Sequence, residues 1–190
     1  MNKNTNHGLI LYTNVAPKYV NYIIETSHKN GYKELYLLVS NIYLFNLLKI
    51  LKNNSNTLFK VLIDIICIDY PERVNRFELN YHLLSLKYNT RINIKTYIDE
   101  ISYNESITAI YPNAMWSERE VWDMYGVLFV NNPDLRRILT DYGFDGFPLR
   151  KDFPLSGYSE VIYDDTIKNV VYQELSVAQQ YRNFEYRSAW

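Results

Sequence analysis

Hydrophobic positions change their period along this chain, and the period assigns the elements. After Pro17, Val20, Ile23 and Ile24 recur at helical spacing up to Gly31, a C-cap residue, which predicts a first helix. Residues 34–40 are an apolar run of strand length. Asn41 then caps a second predicted helix, with Leu44, Phe45, Leu48 and Leu51 on its buried stripe. A polar loop at residues 53–56 leads into three segments of period two. In the first, Phe59, Val61, Ile63, Ile65 and Cys67 share a face that excludes Lys60 and Asp64. In the second, Phe77, Leu79, Tyr81 and Leu83 alternate with Glu78, Asn80 and His82. In the third, Ile92, Ile94 and Ile98 alternate with Asn93, Lys95 and Tyr97. Short links at residues 70–73 and 87–90 predict hairpins. The pattern predicts an α+β domain over residues 8–112, with a mixed, largely antiparallel sheet and helices packed on one face.

Two capped helices are expected next. Ser102 and Glu105 have capping-box spacing, and Pro112 ends that helix after Ile107 and Ile110. Ser117 and Glu120 repeat the spacing inside a connecting element at residues 113–126, with Trp116 and Val121 as a hydrophobic staple and Gly126 as the stop. Beyond it regularity fades. Pro133 and Asp134 predict one short helix with Leu135, Ile138 and Leu139 inward, stopped by Gly143, and a hairpin is expected around Asp164 and Asp165. Gly146, Pro148, Pro154 and Gly157 hold the chain extended between them. Residues 127–190 therefore read as a long irregular C-terminal arm.

Composition narrows the chemistry. Of the 190 residues 47% are hydrophobic, enough for a core, and the net charge of −1 gives no field to recruit nucleic acid or an anionic membrane. Cys67 is the single cysteine, so no disulfide forms within the chain, and an iron–sulfur cluster normally takes several thiolates. His7, His28 and His82 are scattered, and no metal site is expected. The longest apolar region, residues 35–51, is interrupted by Ser40, Asn41, Asn46 and Lys49 and is too polar for a membrane span. The N-terminal residues lack the pattern of a transit or signal peptide. The 19 tyrosines, with abundant Asn, Ile and Lys, suit an AT-rich organellar genome.

The densest chemistry lies in residues 116–157, where paired opposite charges, aromatics, Gly and Pro crowd one segment. Its strings are Glu118-Arg119-Glu120, Asp123-Met124-Tyr125-Gly126, Pro133-Asp134-Leu135-Arg136-Arg137-Ile138-Leu139 and Pro148-Leu149-Arg150-Lys151-Asp152-Phe153-Pro154-Leu155. Together they resemble the thirty-kilodalton subunit family of respiratory complex I. That resemblance implies a core subunit of the quinone-reducing peripheral arm, on the matrix face of the mitochondrial inner membrane. It implies no cofactor on this chain. FMN, the iron–sulfur clusters and ubiquinone would belong to partners, above all the large quinone-binding subunit and neighbouring iron–sulfur subunits. Plastid NDH and bacterial complex I carry equivalent subunits. Family members often have His where this chain has Asn132 and Phe147, so chemistry resting on those imidazoles loses support here.

The residues themselves admit blander readings. Glu118, Glu120 and Asp123 could form an acid–base or metal cluster, but a helix start favours acidic side chains for its dipole. Asp123 lies past the first turn, so a pair with Arg119 or a tail arginine is expected. Arg136, Arg137, Arg150 and Lys151 could bind phosphate or RNA as a nucleic-acid module would. Asp134, Asp141, Asp145 and Asp152 interleave with them, however, which favours ion pairs within the chain or across an interface. Phe147 and Phe153, with Tyr142, Phe144 and Tyr158, suit a partner surface. Glu118, Arg119, Glu120, Asp123, Arg136, Arg137, Asp141, Phe147, Arg150, Lys151, Asp152 and Phe153 are thus candidate partner-contact residues, and none is expected to be catalytic.

Overall fold

The computed structural model describes residues 20–27, 33–176 and 182–186. The chain divides into two units, Met1–Asp152 and Phe153–Trp190. In the first, strands β1 (Val20–Ser27), β2 (Lys33–Val39), β3 (Val61–Asp69), β4 (Phe77–Ser85) and β5 (Thr90–Ile98) form one sheet in the order β1-β2-β5-β4-β3. The sheet is mixed. Strands β1–β2, β3–β4 and β4–β5 pair antiparallel, while β2–β5 is parallel, the chain crossing over through helix α1 (Asn41–Asn53).

The first expected helix is instead strand β1. Its run Val-Asn-Tyr-Ile-Ile-Glu-Thr is rich in β-branched and aromatic residues, and seven-residue pairing with β2 overrides an apolar spacing that suits either period. Pro17 and Gly31, its expected ends, lie outside the described residues. Helix α1 begins one residue after Ser40 and buries Leu44, Leu47, Leu48 and Leu51, while Phe45 is half-buried at the margin. Each of these leucines contributes about 1.5–3 kcal/mol by leaving water.

Strand β3 does not keep a single period. Leu62 pairs with Leu83 but Asp64 pairs with His82, so Ile63 is an extra residue, a bulge, in this edge strand. The bulge moves Leu62 inward beside Ile65 and Cys67 and leaves Ile63 48% exposed, correcting the expectation that Val61 and Ile63 share the core face. The same parity puts Asp69, opposite Phe77, on the core side at the end of β3. Strands β4 and β5 follow their alternation: Phe77, Leu79, Tyr81, Leu83, Ile92, Ile94 and Ile98 are buried.

No helix follows Ser102. Residues Tyr103–Glu105 form a short strand, β6, parallel to β7 (Leu128–Val130), and the Ser106 amide extends the pairing by donating to Val130 O at 2.9 Å. One turn at Ile107 follows, its carbonyl accepting from the Ile110 and Tyr111 amides. Helix α2 (Ala114–Tyr125) starts three residues before the predicted cap. Ser117 is therefore inside it and donates to Asp64 Oδ1 at 3.3 Å, while Trp116 is 57% exposed and staples nothing. Gly126 does end α2, in the left-handed conformation at φ 78°.

In the second unit β8 (Ser159–Asp164) and β9 (Asn169–Glu174) form an antiparallel hairpin, as expected around Asp164 and Asp165. The Leu175 amide closes its open end on Tyr158 O at 3.0 Å, and Phe153 meets Tyr158 edge to face at 5.5 Å.

Candidate functional site

Helix α2 turns charge inward. Glu118, Arg119 and Asp123 are buried with Ala114 and Val121, whereas Glu120 is exposed. A dipole-favouring, solvated role for Glu118 is therefore overturned. Its Oε1 accepts from the Ile107 amide at 2.8 Å, and its Oε2 accepts from Ser106 Oγ and Asn132 Nδ2, both at 2.7 Å. Burial pushes its carboxyl above the usual range, and the three donors oppose that rise only in part. Asn132 thus ties the β7 exit to α2. Arg119 reaches Asp134 Oδ2 at 2.8 Å and lies 5.0 Å from the Trp116 ring.

Asp123 gathers more donors than any other side chain of this helix. Its Oδ2 accepts from the consecutive amides of Ile138, Leu139 and Thr140 at 3.0, 2.6 and 3.0 Å. Its Oδ1 accepts from Thr140 Oγ1 at 2.7 Å and Arg137 Nη1 at 3.2 Å. Three successive amides aimed at one oxygen make an anion nest. They also explain why the helix expected from Pro133 is absent: amides that donate to Asp123 cannot run back to carbonyls four residues earlier. Leu139 is consequently 61% exposed. Burial alone would raise the Asp123 carboxyl, but Thr140 and the amides outweigh it and hold the pKa at about 2. The expected tail-arginine partner is Arg137.

A second cluster closes over the ends of β3, β4 and β5. Arg76 grips Asp69 with two bonds, Nε to Oδ1 at 2.7 Å and Nη2 to Oδ2 at 2.9 Å, and meets Asp152 Oδ1 at 3.0 Å. Asp69 Oδ2 also accepts the Lys151 amide at 2.8 Å. Burial disfavours the Asp69 charge, yet Arg76 and that amide hold its carboxyl below the usual range. Arg150 donates Nε to Tyr125 O at 2.7 Å and the Leu149 amide donates to Met124 O at 3.1 Å, so both bonds cap carbonyls at the end of α2, and Arg150 Nη1 pairs with Glu100. Its guanidinium lies 4.6 Å from the Phe147 ring centre, and Arg137 lies 4.9 Å from the same ring. Phe147 also meets Trp122 edge to face at 5.8 Å. A Cβ on Gly126 would stand 2.6 Å from the Phe147 ring and 2.8 Å from Arg150 Nη2, so any side chain there must displace them as well as adopt a left-handed backbone.

Of the twelve candidates, seven therefore join these two clusters by side chain: Glu118, Arg119, Asp123, Arg137, Phe147, Arg150 and Asp152, with Lys151 contributing its amide. Arg136, 65% exposed at its side chain, meets the half-exposed Asp134 at 3.2 Å. Asp141 is exposed and accepts the Tyr142 amide at 2.8 Å, and Phe153 belongs to the second unit. The sequence reading missed Asp69, Arg76, Glu100, Ser106 and Asn132. The signal for Asp69 and Arg76 lay in the predicted hairpin itself, whose tight link brings two opposite charges to the same end.

These carboxylates face donors that position chain segments, and no group of three His, Cys, Asp or Glu fit for a metal occurs among the described residues. Residues 37–159 match the family described as respiratory-chain NADH dehydrogenase, 30 Kd subunit. The chain belongs to that family of complex I subunits. It is 52% identical over 180 residues to NADH-ubiquinone oxidoreductase subunit 9 of Acanthamoeba castellanii, covering 95% of this chain and 90% of that one. To the subunit 9 of Prototheca wickerhamii it is 50% identical over 190 residues, covering 100% and 95%. A relative from Arabidopsis thaliana, 56% identical over 148 residues and 78% of each chain, is named NADH dehydrogenase (ubiquinone) iron-sulfur protein 3. The residues of this 30-kDa family member do not fit a cluster. Its one cysteine, Cys67, is buried on β3, and burial pushes its thiol far above the usual range. Among solved structures it resembles a chain of the membrane-bound sulfane sulfur reductase, an archaeal respiratory membrane complex. That match has a TM-score of 0.63 and 27% identity, covering 78% of this chain and 86% of that one.

Proposed function

We propose that this chain is a core subunit of the peripheral, quinone-reducing arm of mitochondrial complex I that holds no cofactor and shapes the arm around partners that do. The observation that carries the reading is the use of the family motifs. Glu118, Asp123, Arg137 and Arg150 are committed to fixing backbone segments, and among the described residues no group of three His, Cys, Asp or Glu stands together to ligate a redox centre. Electrons then pass through FMN, iron–sulfur clusters and ubiquinone held by neighbouring subunits, the large quinone-binding subunit among them. No helix among the described residues is long and apolar enough to cross a membrane, so attachment to the inner membrane runs through those partners.

The exposed candidates Glu120, Arg136, Asp141 and Lys151, the half-buried Phe153 and the exposed side chains described beyond it, such as Leu155, Tyr158 and Tyr163, are available to meet neighbours. Within this reading of residues 127–190 as a partner-wrapping arm, the stretch up to Asp152 belongs to the first unit, and the partner contacts are assigned mainly to the residues that follow it. A tagged chain gently purified from mitochondria should bring down iron–sulfur and quinone-site subunits, and deletion of residues 153–190 should abolish the assembled arm on native gels. Recovery of the tagged chain without such subunits overturns the reading, and recovery from plastids with NDH subunits transfers it to that complex. A nucleic-acid module is disfavoured because the arginines that would bind phosphate, Arg136, Arg137 and Arg150, pair with Asp134, Asp123 and Glu100.

A further inference from the structure

Of the two buried carboxylates on α2, only Asp123 has a cation beside it. Arg137 pairs with Asp123 and Arg119 with Asp134, and no ion pair to Glu118 forms among the described residues. The other titratable groups around Glu118 bring no positive charge. Tyr81 faces it from β4, its phenol held neutral by burial and by that carboxylate, and its oxygen accepts from Asn104 Nδ2 at 2.5 Å. The Cys67 thiol on β3, beyond Tyr81, is also held neutral by burial. Glu105 on β6 and Glu120 on α2 are exposed, and β7 carries no titratable side chain. A fully buried carboxylate held by neutral donors alone is one that a proton can discharge.

The route for that proton is built from hydroxyls. Ser106 Oγ donates to Glu118 Oε2 at 2.7 Å, stands 2.9 Å from Thr108 Oγ1 and accepts the Thr108 amide at 3.2 Å. Ser106 is buried and Thr108 half-buried, so the chain of oxygens runs from the margin of the domain to its interior. Either hydroxyl can be the donor between Ser106 and Thr108, and this freedom lets both charge states keep their bonds. With Glu118 ionised, Thr108 donates to Ser106 and Ser106 to Glu118. With Glu118 protonated, its O–H donates to Ser106 and Ser106 donates to Thr108. Oε2 still accepts from Asn132 and Oε1 from the Ile107 amide, so neither state loses a partner. Asp123 lacks this freedom: Arg137 and three amides can only donate, and a proton there would displace them.

We propose that Thr108, Ser106 and Glu118 form a proton-exchange relay, with Glu118 as a buried, reversible proton-binding site at the junction of β6, α2 and β7. A proton from solvent adds to Thr108 Oγ1, the Thr108 hydroxyl proton moves to Ser106 Oγ, and the Ser106 proton moves to Glu118 Oε2. Each hydroxyl ends with one proton and the carboxylate is neutral; rotation of the hydroxyls resets the chain once Glu118 releases its proton. The direction of the shift agrees, since burial raises the Glu118 carboxyl and the fold favours its protonated form. In infrared difference spectra of the full chain, one carboxyl should titrate above the ordinary glutamate range and vanish in Glu118→Gln. Labelling glutamate carboxyls with carbon-13 should shift that band, and labelling aspartate should not, which fixes the assignment even if Glu118→Gln does not fold. After a pH jump, Thr108→Val, which fills the same space without a hydroxyl, should slow the band's relaxation about tenfold or more while its midpoint moves little. Thr108→Ser should restore the rate. A Thr108→Val chain that relaxes as fast as wild type, a Thr108→Ser chain as slow as Thr108→Val, or the absence of any glutamate titrating above the ordinary range overturns the proposal.

Discussion

Residues 133–152 contain no helix or strand, and residues 159–174 form a regular hairpin, yet the irregular stretch is the better anchored of the two. Five donors from the first converge on Asp123, and Asp69 takes the Lys151 amide and two bonds from Arg76. The hairpin keeps its ladder but leaves most of its side chains in water. Regular backbone thus says little about whether a segment is tied down. What ties a loop is a buried carboxylate on a neighbouring element that accepts its amides, because each of those groups would otherwise lose water without a partner. The charged, aromatic loop that the sequence marks as partner-seeking is largely occupied with its own domain.

The sharpest way to break this comparison is Asp123→Ala. It removes the acceptor of the Ile138, Leu139 and Thr140 amides and takes from Arg137 its carboxylate partner. The expected loss is about 3–5 kcal/mol, read from the urea midpoint of the purified chain. A loss below about 1 kcal/mol would mean that the loop is held by something else.

Acid tests the same anchors together. The Asp123 carboxyl has a folded pKa of about 2, below its ordinary value, so its contribution is complete above about pH 5 and disappears as the pH falls towards 2. Asp69, Glu78 and Asp152 are shifted the same way. Glu118 runs opposite: its raised pKa makes the protonated form the better one in the fold, so lowering the pH through that value favours folding. Asp123 alone should account for on the order of 2 kcal/mol between pH 7 and pH 2. Asp123→Asn should flatten that acid limb, which melting curves across the range would show. An unchanged limb would move the acid sensitivity elsewhere.

Much of the sheet was legible beforehand because hydrophobic parity survives wherever hairpins enforce it. Phe77, Leu79, Tyr81, Leu83, Ile92 and Ile94 all sit where period two puts them. The reading failed where a long-range partner replaced a local one. A single bulge at Ile63 reversed the parity of half a strand, and β7 captured Tyr103–Glu105 from a plausible capping box. Val20–Ser27 became a strand because β2 was there to pair with it. The family strings were readable as a group, but their roles were not. That Glu118 is buried, and that Asn132 and Ser106 satisfy it, depends on a contact between β6, α2 and the β7 exit that no spacing encodes.

Gly126→Ala probes the joint between α2 and the pinned stretch. Alanine at φ 78° costs about 1–2 kcal/mol, and its Cβ also meets the Phe147 ring. If that ring is the obstacle, Phe147→Leu should relieve part of the cost, and the double variant should be more stable than the two single losses predict. Strict additivity would leave the left-handed backbone as the whole effect.

Arg136→Glu should give the smallest effect on the chain and the most informative one for the boundary between self-anchoring and partner contact. Its guanidinium is mostly exposed and meets an Asp134 already engaged by the buried Arg119, so unfolding of the isolated chain should change by no more than about 0.5 kcal/mol. In the complex, an outward arginine near a partner acts as a rim charge, which alters salt tolerance more than intrinsic affinity. Retention of the Arg136→Glu chain through a high-salt wash should therefore fall about threefold while its stability stays put. Equal retention would return Arg136 to plain solvent-facing surface. A stability loss above about 1 kcal/mol would place it among the internal anchors, and the division between the two regions would have to be redrawn around it.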